Sequence, residues 1–195
     1  AHSNNTAVGA SALQTQNAGA HAYNTAVGFE AGKGLTTGTE NVAVGAGALD
    51  GVVTGSGNVA IGRQALGANT SGTPNTAVGY HAMTANLTGG DSVAVGAYAL
   101  DTNTLGVRNI AIGKDALTLD VDGDYSVAVG HAALGNQESD AESQDVYNTA
   151  VGGFAGNALT TGAYNTFLGG HAGGNGTMTA DSNTLLGYKA GYEIT

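Results

Sequence analysis

The chain has 195 residues, a formal net charge of −10 and 34 glycines, with only three Phe, two Met and no Trp. That composition excludes a thick core of large side chains, and five Lys plus Arg against fifteen Asp plus Glu disfavour nucleic acid or an anionic membrane as partner, since both call for a basic face. The absence of Cys excludes disulfide scaffolds and Cys-ligated zinc, one proline without glycine at every third position excludes collagen, and no apolar run is long enough to cross a bilayer as a helix.

Ala1 in place of Met leads to the expectation of a fragment or processed chain, with any targeting or anchoring segment outside these residues. From there a five-residue signature organises the sequence. It first stands as Asn5-Thr-Ala-Val-Gly9, and its closing glycine returns at Gly28, Gly45, Gly62, Gly79, Gly96, Gly113, Gly130, Gly152, Gly169 and Gly187. Seven of the ten intervals are 17 residues; the others, 19, 22 and 18, read as insertions of two, five and one residues in turns. Asn stands four residues before the glycine in nine of eleven copies, Ser92 and Ser126 being the exceptions. Ala stands two before it except at Phe167 and Leu185, and Ala stands three after it throughout, from Ala12 to Ala190.

Each signature predicts a short strand. Alternation puts Thr25 and Val27, Val59 and Ile61, or Ile110 and Ile112 on one face, with Ala26, Ala60 or Ala111 on the other. Both faces are small or apolar, which fits a sheet that closes a narrow core in each coil and also packs outward. Seventeen residues rich in glycine, with turns such as Thr37-Gly38 and Thr88-Gly89, cannot hold two helices. The Asn column, including Asn24, Asn41, Asn58, Asn75, Asn109, Asn148 and Asn165, predicts a ladder of stacked amides bonded along the rod and points to architecture, not catalysis.

Between signatures the chain offers few chemical candidates. The pairs after each glycine vary most, as at Arg63-Gln64, Tyr80-His81, Lys114-Asp115 and Gly153-Phe154, and predict outward positions. His81, His131 and His171 fall there without the spacing or companions of a zinc site. Farther on, Asp120-Val-Asp122-Gly-Asp124 and the loop carrying Asp140 and Asp145 lie on adjacent coils, where carboxylates could converge on calcium or simply be solvated. Tyr125, Tyr147 and Tyr164 immediately precede the Ser or Asn that opens the signature in three successive coils. They predict either a platform for sugar rings or a stabilising side-chain ladder. No nucleophile elbow, phosphate loop or paired-carboxylate signature stands out, so no enzyme activity is expected.

Asn41-Val-Ala-Val-Gly45, Asn58-Val-Ala-Ile-Gly62 and Ser92-Val-Ala-Val-Gly96 resemble the head repeats of trimeric autotransporter adhesins of the YadA type. The wording Asn-Thr-Ala-Val-Gly-x-x-Ala at 75–82 and 148–155 is similar to repeats of phage and marine-virus tail fibres, and the ending from Asn183 to Glu193 resembles a last repeat before a chaperone region that is not present here. The resemblance implies a left-handed parallel β-roll assembled as a homotrimer, with longer outer turns than the shorter adhesin unit and with the Ala columns of three chains buried against one another.

The expectation is therefore an all-β, left-handed parallel β-roll or β-solenoid of about eleven 17-residue coils, one domain over 1–195 with its longest inserted loop at about 135–147. It would serve as a structural or adhesive segment of a trimeric tail fibre on a virion, or of an adhesin on a bacterial cell surface. Its partners would be itself and a host glycan or protein receptor, with no nucleic acid, no membrane insertion and no cofactor besides the candidate calcium. Two alternatives stand beside it. One is a tailspike-like polysaccharide-degrading enzyme working through the acidic loops at 120–145; the other is a monomeric ice- or surface-binding solenoid, against which counts the lack of a regular Thr-x-Thr array.

Overall fold

The computed structural model describes residues 4–18, 21–139 and 144–193. They form an all-β solenoid without helices among them. Its strands are β1 (Thr6–Val8), β2 (Thr25–Val27), β3 (Val42–Val44), β4 (Val59–Ile61), β5 (Thr76–Val78), β6 (Val93–Val95), β7 (Ile110–Ile112), β8 (Val127–Val129), β9 (Thr149–Val151), β10 (Thr166–Leu168) and β11 (Thr184–Leu186). All pair in parallel and in sequence order in one eleven-stranded sheet, with Ala26 opposite Ala43 and Ala43 opposite Ala60. Backbone bonds between coils continue beyond the sheet, for example from Leu49 N–H to Ala65 O at 3.0 Å and from Thr54 N–H to Thr70 O at 2.7 Å.

Stacking explains the signature glycine. At Gly28, φ is +138°, and a Cβ there would come within 2.7 Å of the Gly45 carbonyl oxygen of the next coil. Glycine alone supplies both the backbone angle and the clearance. The chain then turns through positive-φ residues that are not glycine, such as Gln64 (φ 59°) and Leu66 (φ 52°), which carry fully buried Ala65 and Leu66 into the interior. A left-handed residue costs about 1–2 kcal/mol, and burial of the apolar side chains in the stacked coils offsets it.

The mid-strand alanines point inward. Ala43, Ala60, Ala77, Ala94, Ala111 and Ala128 are fully buried within the single chain, beside Ala48, Ala65, Leu66, Met83, Leu100 and Leu117 from the turns. This corrects the expectation that the Ala columns face other chains. In most coils the buried turn residue, such as Leu66 or Leu117, fills the space beside the strand and leaves room there for Ala, so Val, Ile, Thr and Leu stand on the outside, where Ile112 remains 40% exposed and Leu168 46%. The second apolar face exists, but it is made mainly of β-branched side chains.

The Asn column is also built differently from the expected amide ladder. Asn58 Oδ1 accepts the backbone N–H of Asn75 at 2.9 Å, and Asn58 Nδ2 donates to the Gly72 carbonyl at 3.0 Å. Each buried amide thus joins coils through the backbone and satisfies groups that would be costly to bury unpaired. Ser92 fits the same column because its hydroxyl accepts the Asn109 N–H at 3.1 Å and donates to the Gly90 carbonyl at 3.1 Å.

Candidate functional site

Among the described residues, the carboxylates of the acidic segment are held by different partners. Asp120 points into the core, where Oδ2 accepts from Gln137 Nε2 at 3.0 Å and Oδ1 from the Ser139 N–H at 3.2 Å. Asp122 Oδ1 accepts from Thr104 Oγ1 at 2.7 Å, and Asp124 Oδ1 accepts from the Val107 N–H at 2.7 Å. Asp124 and Asp145 pair as neighbouring backbone positions in a parallel bridge, and burial, followed by lesser effects that include the Asp145 charge, pushes the Asp124 carboxyl up. Asp140 lies outside the described residues. Among those described, no group of three or more His, Asp or Glu side chains is arranged to hold a metal ion.

Tyr125, Tyr147 and Tyr164 do come together, as a stack. Their ring centroids are 4.7 and 5.8 Å apart, with planes within 15° of parallel. Arg108 caps the stack, its guanidinium carbon 5.2 Å from the Tyr125 ring centre and its Nη1 donating to Tyr125 Oη at 2.7 Å. Tyr147 lies between two neighbouring rings and remains 44% exposed. Desolvation, and then the nearby Asp145 charge, hold the Tyr147 phenol above its ordinary value. The stacking supplies a side-chain ladder between three coils.

A second aromatic row runs along the opposite edge of the sheet, at the variable positions after each glycine. Tyr80, His81 and Tyr98 form one cluster, with Tyr80 and Tyr98 edge to face at 5.4 Å and His81 4.3 Å from Tyr80. Phe154 links His131 and His171 at 4.8 and 4.9 Å, so these two histidines share an aromatic neighbour. The sequence flagged the positions as outward but gave no sign that rings from different coils would meet.

Sequence reasoning missed a buried polar column on the far wall. Asn69, Asn86, Asn103, Asp120 and Gln137 recur at intervals of 17 residues and are all buried. They pack against the turn glycines: a Cβ on Gly89 would lie 2.7 Å from Asn86 Nδ2, and one on Gly123 would lie 2.7 Å from Asp120 Oδ2. Asn69 Nδ2 donates to Asn86 Oδ1 at 3.3 Å, but Asn86 Nδ2 and both polar atoms of Asn103 have no partner. Burial pushes the Asp120 carboxyl up to about 6, despite bonds from Gln137 and Ser139 that favour its ionised form. Gln137 also accepts from Asn148 Nδ2 at 3.0 Å, as Gln16 does from Asn24 Nδ2 at 2.7 Å. These two glutamines mark the coils that carry the two longest insertions.

Among the described residues this arrangement presents surfaces: the outward face of the sheet and the aromatic rows on its two edges. Comparison of the chain with protein-family models, with curated proteins and with solved structures gave no match.

Proposed function

We propose that the chain is a structural and adhesive segment of a trimeric fibre or cell-surface adhesin, in which the outward sheet face of each solenoid packs against two further copies. One observation carries this reading. Eleven parallel strands align Val, Ile, Thr and, in the last two, Leu in two outward columns, with Ile110 and Ile112, Val59 and Ile61, and Val93 and Val95 in register. Isolated exposed apolar residues are ordinary, but a continuous flat strip along the whole rod is a surface to be covered. Cyclic association of identical chains covers it without leaving an open end. The sheet edges, which carry the aromatic rows, are then the places for a receptor.

The test is solution mass by light scattering, compared with the 19.0 kDa chain. A particle of three chains is expected, and Val95→Asp with Ile112→Asp should dissociate it, because burying unpaired carboxylates in an apolar interface is strongly unfavourable. A monomer at all concentrations overturns the trimer. It would favour the surface-binding alternative instead, for which the same outward array of Thr and aliphatic residues at regular strand spacing supplies the specific support.

A further inference from the structure

The two edges of the sheet differ in how their arginines are held: Arg108, beside Tyr125, has the Asp91 carboxylate 3.7 Å away, whereas Arg63, beside Tyr80, has no such partner among the described residues. On the edge leading into the strands, Tyr125, Tyr147 and Tyr164 stack face on face. On the edge leaving the strands, the planes of Tyr80 and Tyr98 are 79° apart, and those of Tyr80 and His81 are 58° apart. His81 and Tyr98 lie 22° from parallel at 5.7 Å, Arg63 stands 5.7 Å from the Tyr80 ring centre, and Tyr80 stays 41% exposed. One coil earlier, Arg63 Nη1 donates to Tyr80 Oη at 3.2 Å. Among the described residues Arg63 has no carboxylate within ion-pair distance, so its other donors are open to a ligand.

We propose that Arg63, Tyr80, His81 and Tyr98 form a docking row for a neutral polysaccharide strand laid along the solenoid axis. A pyranose ring presents C–H faces that pack on aromatic rings and hydroxyls that bond to guanidinium, imidazole and phenol, and this row offers both kinds of contact on three successive coils. Coils repeat at about 4.8 Å, comparable to the length of one pyranose in an extended chain, so consecutive coils meet consecutive sugars.

Charge selects a neutral glycan over an anionic one. The chain carries −10 overall, and the row's surroundings are balanced: Lys114 is paired with Asp115 at 2.7 Å, Asp101 and Lys114 act in opposite senses on Tyr98, and Asp50 lies 3.4 Å from Gln64 Nε2 beside Arg63. A polyanion gains little from such a site and is repelled by the rest of the molecule. The inference rests on the receptor-binding half of the reading above and not on the trimer.

The experiment is calorimetric titration of the full chain with hexasaccharides of β-1,4-linked glucose, N-acetylglucosamine and mannose, with a hexauronate as the anionic comparison. The expected result is binding of at least one neutral hexamer in preference to the hexauronate, weakened about tenfold or more by Tyr80→Ala or Tyr98→Ala, and unchanged by Tyr147→Ala. Circular dichroism and melting of each variant check that the solenoid is intact. Failure of all three neutral hexamers to bind overturns the proposal, and so does an equal loss on Tyr147→Ala or tighter binding of the hexauronate. Solution mass measured on the same sample separates that failure from failure of the trimer.

Discussion

In the central coils the interior is filled by a small strand residue, a large turn residue and a polar residue on the far wall, as with Ala111, Leu117 and Asp120. Toward the C-terminal end the sizes are exchanged. Phe167 replaces the strand alanine, Gly156 and Gly173 stand where Leu117 and Leu134 do, and Leu159 and Met178 replace the polar column. The exchange is steric. A Cβ on Gly173 would lie 2.7 Å from Phe167 Cδ1, and one on Gly156 the same distance from Phe167 Cδ2. The cross-section holds a fixed volume, and different side chains fill it, as close-packed interiors require.

The most severe way to break this comparison is to move the large residue without its glycines. Ala111→Phe should cost several kcal/mol and abolish cooperative melting, because Leu100 and Leu117 occupy the space a ring would need. Combining it with Leu100→Gly and Leu117→Gly should restore part of the loss. Phe167→Ala should leave a cavity worth about 3–5 kcal/mol. Chemical denaturation of the three variants checks the pattern, and no recovery in the triple variant would show that volume exchange is not the rule.

The buried carboxylate sharpens the contrast next. Asp120 has a folded pKa of about 6, above its ordinary 3.8, so the folded state holds the proton more tightly than the unfolded one. Its contribution is fully present below pH 3.8 and is lost as pH rises through about 6. That shift corresponds to about 3 kcal/mol at most. Stability measured by urea should therefore fall between pH 4 and pH 7.5, and Asp120→Asn should flatten the fall. Asp50 and Asp124, also raised by desolvation, act in the same direction, so the difference between variant and parent is the informative quantity. An identical pH profile in Asp120→Asn would remove the buried carboxylate from the account.

Much of this was legible in the sequence. The 17-residue register gave the strands, their parallel order and the coil count. The direction of the strand faces was not, because Ala on one side and Val, Ile or Thr on the other are both apolar. Hydrophobicity alone favours the larger residues inside, and it is the buried turn residue, such as Leu66 or Leu117, that leaves room at the strand position for Ala. The polar column hid for another reason. Asn69, Asn86 and Asn103 sit close to Thr and Gly, where Asn ordinarily reads as a turn residue. Of the candidate sites, the tyrosine row was visible from its spacing, and its three rings do stack.

The smallest expected effects separate two kinds of buried amide. Asn75 donates to the Gly89 carbonyl at 2.8 Å and accepts the Ser92 N–H at 3.1 Å, so Asn75→Ala should cost about 1–3 kcal/mol. Asn103 is equally buried but has no partner for either polar atom, and Asn103→Ala should cost less than about 1 kcal/mol. Equal losses in the two variants, read from thermal melts, would show that the Asn103 amide is bonded in solution.

The direction of the backbone bonds between coils has a mechanical consequence. From the first coil to the last they run along the rod, so a pull on its two ends loads the coils in series, and the weakest interface yields first. Lateral bending instead stretches one wall while compressing the other, where the coils are already close-packed. A single solenoid is then stiff when pushed or bent and peels coil by coil when drawn out. Laying several side by side would let parallel interfaces share the tension.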